Sequence, residues 1–115
     1  MRTLAQRAPV PVTTDVDEQM GRLPGHVETA AYFVVAETLA NIAKYAEASE
    51  AWITVDRENG NARVEIRDDG KGGATPDSGT GLRGLADRVG AFDGDLTIDS
   101  PRGGGTRIIA EIPCA

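Results

Sequence analysis

A two-layer α/β sandwich, in which two helices cover one face of a mixed, largely antiparallel sheet of about five strands, is the fold this sequence predicts. Three observations predict it. Five segments, at 10–16, 51–57, 62–68, 95–99 and 106–112, alternate apolar with polar residues at the strand period of two. Two longer stretches, 25–46 and 82–92, carry apolar residues at helical spacing instead. Between the second and third alternating segments stands Asn59-Gly60, a dipeptide that accepts the positive φ angles of a tight hairpin.

Bulk properties narrow the function classes. At 115 residues and 12.1 kDa the chain has room for one buried core and not for two. A composition of 40% hydrophobic and 26% charged residues excludes a disordered chain. The formal net charge of −6 and a pI near 4.7 exclude an extended nucleic-acid surface, which needs clustered Lys and Arg. An anionic ligand must therefore be met by a few local groups. Cys114 is the single cysteine, a bystander near the chain end that fits a reducing compartment and offers neither a disulfide nor a metal cluster. No apolar run approaches the roughly 20 residues that span a bilayer, and no signal-peptide core precedes the domain. A cytoplasmic domain without direct membrane contact is expected.

Along the chain, residues 1–9 read as the stub of a connection from something upstream, so that Met1 marks a piece cut from a longer protein, and residues 10–113 form the domain. Pro9 and Pro11 favour extended backbone at a sheet edge, where a missing N–H does least harm. A polar link leads to the first helix, where Val35, Leu39 and Ile42 form a stripe for the sheet. Glu37, Asn41 and Lys44 repeat at the same spacing, about 200° round the axis from that stripe. They are either a solvated face with weak i,i+4 contacts or a row of polar ligands. Trp52, on the second strand, reads as packing.

The densest signal lies between Arg67 and Asp87, where six of the chain's fourteen glycines fall. Glycine belongs where backbone turns sharply or approaches a partner without a Cβ in the way. Just upstream, Ala62, Val64, Ile66 and Asp68 share one face of a strand, which sets the carboxylate of Asp68 among apolar side chains. A carboxylate there needs a donor, since leaving it unpaired costs several kcal/mol, on the order given by transfer data. The functional reading is that a ligand's amino group is the donor. Gly70 and Gly72 then let the chain pass close to a flat ring, and Gly79 and Gly81 open a helix whose first N–H groups, with Arg83, suit phosphate oxygens.

Three boxes in this order, Glu37-x-x-x-Asn41-x-x-Lys44, Asp68-x-Gly70-x-Gly72 and Gly79-x-Gly81-Leu82-Arg83-Gly84-Leu85, resemble the catalytic ATP-binding domain of two-component sensor histidine kinases, in the wider group shared with gyrase, HSP90 and MutL. The wording GLRGLADRV and the short loop before it are similar to the NarL/DesK-type subgroup, whose response regulators have LuxR-type outputs. The resemblance runs from about Val10 to Ile112. It implies ATP and Mg2+ as cofactors, with Asn41 on the metal, Lys44 on phosphate, and Asn41, Lys44, Tyr45, Asp68, Gly70, Gly72, Gly79, Thr80, Gly81, Leu82, Arg83 and Thr106 contacting the nucleotide. Thr106 is placed near the adenine with a bridging water. Glu37 is the candidate catalytic carboxylate, although in such kinases the base for phosphoryl transfer lies outside this domain. The partner implied is a dimerisation domain carrying the acceptor histidine, with a response regulator further on. Because that helix pair is not in this chain, the domain alone is expected to bind ATP without autophosphorylating.

Other patterns are set aside. Gly79-x-Gly81-x-x-Gly84 spells a dinucleotide fingerprint, but a loop, 74–78, precedes it where a strand is required. His26, the only histidine, sits at a helix start within the nucleotide domain and reads as an exposed residue instead of a phosphate acceptor. Three rival functions remain open at this point. One is an ATPase in which Glu37 activates water, another is a non-catalytic, anti-sigma-like switch module that binds ATP and a protein, and the third is a degenerate domain that no longer binds nucleotide.

Overall fold

A computed structural model describes residues 10–17, 21–43, 47–73 and 82–114. The expected stub, Lys44, Tyr45 and the segment holding Gly79, Thr80 and Gly81 lie outside these described residues. Within them the elements run β1 (Val12–Val16), α1 (Gly25–Asn41), β2 (Ala51–Glu58), β3 (Asn61–Asp68), α2 (Leu82–Gly90), β4 (Asp95–Asp99) and β5 (Thr106–Pro113). The strands form one sheet in the order β1-β2-β3-β5-β4. β1 lies parallel to β2, and every other neighbouring pair is antiparallel. The mixed, five-stranded sandwich expected from the alternation is the fold observed.

Boundaries shift for local reasons. β1 begins at Val12 instead of Val10, since Pro11 has no N–H for the ladder; its carbonyl accepts the Ala51 N–H at 3.0 Å. The regular part of α1 stops at Asn41, earlier than expected, and Ile42 and Ala43 continue in a wider turn. α2 ends at Gly90, two residues before the expected end. There Asp93 takes φ 61°, and the Gly94 N–H bonds the Val89 carbonyl at 3.0 Å. The hairpin between β2 and β3 is the tight one foreseen: Asn59 and Gly60 have φ of 53° and 79°.

The core lies between the helices and one sheet face. Ala51, Ile53 and Val55 of β2 meet Asp68, Ile66 and Val64 of β3 in register, and Thr106, Ile108 and Ala110 of β5 extend the same rows. α1 presses a broad stripe onto them, Val27, Ala30, Ala31, Val34, Val35, Thr38, Leu39 and Ile42, and α2 adds Leu82, Leu85 and Val89. The opposite sheet face is charged: Glu65 bonds Arg107 at 2.6 Å and Arg63 at 3.2 Å, and Arg67 lies 4.7 Å over the Trp52 ring. Trp52 is thus half-buried on the side away from the helices, packed as expected. Burial alone would raise the Glu65 pKa, but the two guanidinium groups outweigh it and hold the carboxyl below its usual range.

The direction of α1 decides what stands near what. Its first turn stacks His26 on Phe92, ring centroids 6.4 Å apart, and further along Arg88 lies 4.1 Å over the Phe33 ring. The helices are therefore antiparallel. Just beyond α2, a Cβ on Gly94 would fall 2.6 Å from the Glu111 carbonyl, which places the α2 end, and with it the start of α1, at the Glu111 end of β5. Seventeen residues of helix span about 25 Å, about the length of an eight-residue strand, so the last turn of α1 reaches the other end, where Asp68 and Thr106 sit.

Two glycines separate the sources of glycine demand. At Gly60 φ is positive and the space for a Cβ is open, whereas at Gly94 φ is ordinary and the space is filled by Glu111 and Val89. In urea denaturation Gly60→Ala is expected to lose about 1 kcal/mol from backbone strain, and Gly94→Ala about 1–3 kcal/mol from overpacking.

Candidate functional site

Asp68 closes β3, between Ala51 of β2 and Thr106 of β5, on the face the helices cover. It is 5% exposed, and it and Thr38 are the buried polar residues among those described. The alternation of β3 sets it there, as the sequence foresaw. Its Oδ1 accepts the Gly70 N–H at 2.8 Å, a turn that bends the chain back over the carboxylate. Burial pushes its pKa up, and the neighbouring charge of Asp69 pushes the same way; the Gly70 and Thr106 amides pull it back without reversing the shift. An ionised carboxylate has acceptor capacity beyond these contacts, and in this setting a further donor from a ligand would relieve it.

The loop after Asp68 is held from two sides. The β4–β5 connection interlocks with it: the Gly73 N–H bonds Ser100 O at 2.8 Å, and the Gly103 N–H bonds Lys71 O at 2.6 Å. The approach is close enough that a Cβ on Gly72 (φ 67°) would overlap the Pro101 carbonyl, and one on Gly105 (φ 76°) the Asp68 carbonyl. Gly72, expected to clear a ligand ring, is also required by this backbone contact. On the other side Asp69 accepts the N–H groups of Ser49 and Glu50 at 2.8 and 3.1 Å. These two bonds hold its carboxyl below the usual range and join the chain leaving α1 to the chain leaving β3. Thr106 is half-buried, its hydroxyl 2.6 Å from that of Ser100.

The α1 residues need one correction. The polar row was expected about 200° from the buried stripe, but that stripe is wider than Val35, Leu39 and Ile42, with its middle near Thr38. On a helical wheel Asn41 then falls about 70° and Glu37 about 110° from the middle. Asn41 is accordingly half-buried at the stripe's border and Glu37 exposed. In α2, Leu82 is buried in the core, so its side chain packs the fold, while Arg83 is exposed in the first turn. The structure brings Asp68, Gly70, Gly72 and Thr106 together at the sheet end that the Asn41 turn of α1 approaches. Lys44, Tyr45, Gly79, Thr80 and Gly81 belong to the undescribed segments. Sequence reasoning missed the two anchors of Asp69, the Ser100–Gly105 brace and Thr38. Of these, the run Gly103-Gly104-Gly105 alone carried a visible signal.

Residues 26–115 match the family described as histidine kinase-, DNA gyrase B- and HSP90-like ATPases. The chain belongs to this family. Among its relatives are the DegS histidine-protein kinase/phosphatase of Brevibacillus brevis, 36% identical over 95 residues, and the oxygen sensor histidine kinase NreB of Staphylococcus carnosus, 32% identical over 96. Each alignment takes in 80% of this chain but only 25% and 28% of the relative, so the chain spans about a quarter of these proteins. The blue-light activated histidine kinase of Erythrobacter litoralis superposes with a TM-score of 0.81 over 98% of this chain and 39% of its own, at 22% identity, which shows the same fold. Acinetobacter baumannii AdeS gives 0.70 over 98% of this chain and 58% of its own, at 17% identity.

The ionised form of Asp68 is a liability to the fold, because burial works against its charge. Its folded pKa is raised above the ordinary 3.8, so over the pH range from 3.8 upward to the shifted value the native state holds a proton that the unfolded state has released. Stability falls as pH rises through that range and stays lowered at neutral pH. Asp68→Asn keeps an acceptor for Gly70 and drops the charge. Its melting temperature is expected to exceed the parent's at pH 7, and the difference to shrink as pH falls toward 4, as followed by circular dichroism.

Proposed function

We propose that residues 10–113 bind Mg-ATP and present its γ-phosphate to a histidine on a separate dimerisation domain of the same kinase, in a two-component pathway. The observation that carries this reading is the buried Asp68 carboxylate. Adenine offers an exocyclic amino group to it, whereas guanine offers a carbonyl at that ring position, and two facing acceptors cost on the order of 2–4 kcal/mol. Gly70 and Gly72 form the wall above that carboxylate, Thr106 stands beside it, and Leu82 and Arg83 open α2 for the phosphates together with Gly79, Thr80 and Gly81.

A magnesium ion fits the donor chemistry of α1. Asn41 supplies an amide oxygen at the helix border, with the Glu37 carboxylate one turn earlier, and hard oxygen ligands suit this ion. No trio of His, Cys, Asp or Glu converges among the described residues, so phosphates and water would supply most of its ligands. Lys44, three residues after Asn41 in the sequence, is assigned to phosphate and Tyr45 to the nucleotide. ATP supplies an activated phosphoryl group: a histidine nitrogen attacks the γ-phosphorus, the bond to the bridging oxygen of ADP breaks, and phosphohistidine and ADP result. This domain contributes positioning and charge neutralisation, which is most of what such transfer needs, while the accepting histidine and its base come from the partner.

The names of the relatives support the kinase assignment, and a response regulator with a LuxR-type output is the downstream partner proposed. Among the described residues no helix is long and apolar enough to cross a membrane, and a cytoplasmic position is proposed for the domain. Isothermal titration tests the reading. ATP with magnesium is expected to bind and GTP to bind at least about thirtyfold more weakly, corresponding to about 2 kcal/mol. Asp68→Asn is expected to weaken ATP by about tenfold or more, and Asn41→Ala to remove the magnesium dependence; equal binding of ATP and GTP would contradict it.

A further inference from the structure

The hydroxyl of Thr38 is the feature of the interior that the account so far leaves unused. Thr38 is 3% exposed, and its Oγ1 has no hydrogen-bond partner. Buried hydroxyls are paired in the large majority of cases, and an orphan calls for a ligand or an ordered water. Its position is specific. Thr38 lies near the middle of the α1 stripe, one turn before Asn41, and so faces the sheet and not the flank where Asn41 and Glu37 stand. The antiparallel packing of α1 on α2 and the anchoring of residues 49 and 50 by Asp69 both put that turn at the Asp68 end of the sheet. The two buried polar side chains among the described residues therefore occupy the same end of an otherwise apolar layer, one a donor without an acceptor and the other a carboxylate with acceptor capacity to spare.

We infer that Thr38 is a further base-recognition residue, its hydroxyl sharing one buried water with Asp68 at the floor of the adenine site. The inference rests on the proposed ATP site. A threonine that merely packed would be better replaced by valine, which has the same shape and no orphaned hydroxyl. A threonine that holds the water at the base edge would not.

Titration of ATP into the 115-residue chain and two variants separates these cases. Thr38→Val is expected to bind ATP about three- to tenfold more weakly, the span of one ordinary hydrogen bond, while melting no lower than the parent; Thr38→Ser, which keeps the hydroxyl, is expected to stay within about twofold. If Thr38→Val binds ATP as tightly as the parent, Thr38 is packing and the inference falls while the ATP site stands. If the folded parent itself fails to bind ATP, the proposed function falls and this inference with it. Should Thr38→Val fail to fold, a crystal of the parent with ATP decides. A water within about 3.2 Å of both Thr38 Oγ1 and the Asp68 carboxylate supports the inference, and its absence overturns it.

Discussion

A carboxylate fixed on the apolar side of a sheet is the constraint on which this domain turns. Asp68 sits where strand alternation demands a core residue, and burial works against its charge. The fold answers in three ways: the chain turns back so that the Gly70 amide reaches Oδ1, the Ser100–Gly105 connection braces the turn from one side, and Asp69 ties it to the exit of α1 on the other. What results is a rigid, polar spot at the rim of a greasy layer, held in place before any ligand arrives. Under the proposed function, pre-organisation of this kind would let a single donor group on a planar base carry discrimination, because the mispaired alternative leaves buried polar atoms facing each other.

The same arrangement sets stability against the proposed function. A hydrophobic residue at position 68 would continue the row of Val64 and Ile66, and the sheet would gain from it. The interlocked glycines are a second concession. Gly72 and Gly105 adopt positive φ and admit no Cβ, so two loops distant in sequence meet backbone to backbone. Such contacts lower the freedom of the loop that follows Asp68 and keep the carboxylate's neighbours in place.

Much of this was legible in the sequence, and the residues show why. The strands could be read from alternation alone, and because β3 keeps that alternation to its last residue, the inward direction of Asp68 could be read with them. Asn59-Gly60 announced its hairpin because few residues tolerate φ near 53° and 79° in succession. The width of the α1 stripe was harder to see: alanines at 30 and 31 and a threonine at 38 are buried as fully as valines, yet neither type declares burial by its chemistry. The brace on the Asp68 loop was out of reach for another reason. It joins residues about thirty positions apart through main-chain atoms, which carry no side-chain pattern to read. The end of α2 moved because the turn at Asp93, with φ 61°, overrides helical propensity.

The central claim is that Asp68 is an ionisable group strained by burial and relieved by adenine, and its own titration tests this most directly. NMR detection of the Asp68 side-chain carboxyl across pH should show a midpoint above the ordinary carboxylate range in the nucleotide-free domain. The midpoint should move down when ATP is bound and stay where it was with GTP at the same concentration. A midpoint at the ordinary value, or one that ATP leaves unmoved while binding elsewhere, would contradict the account.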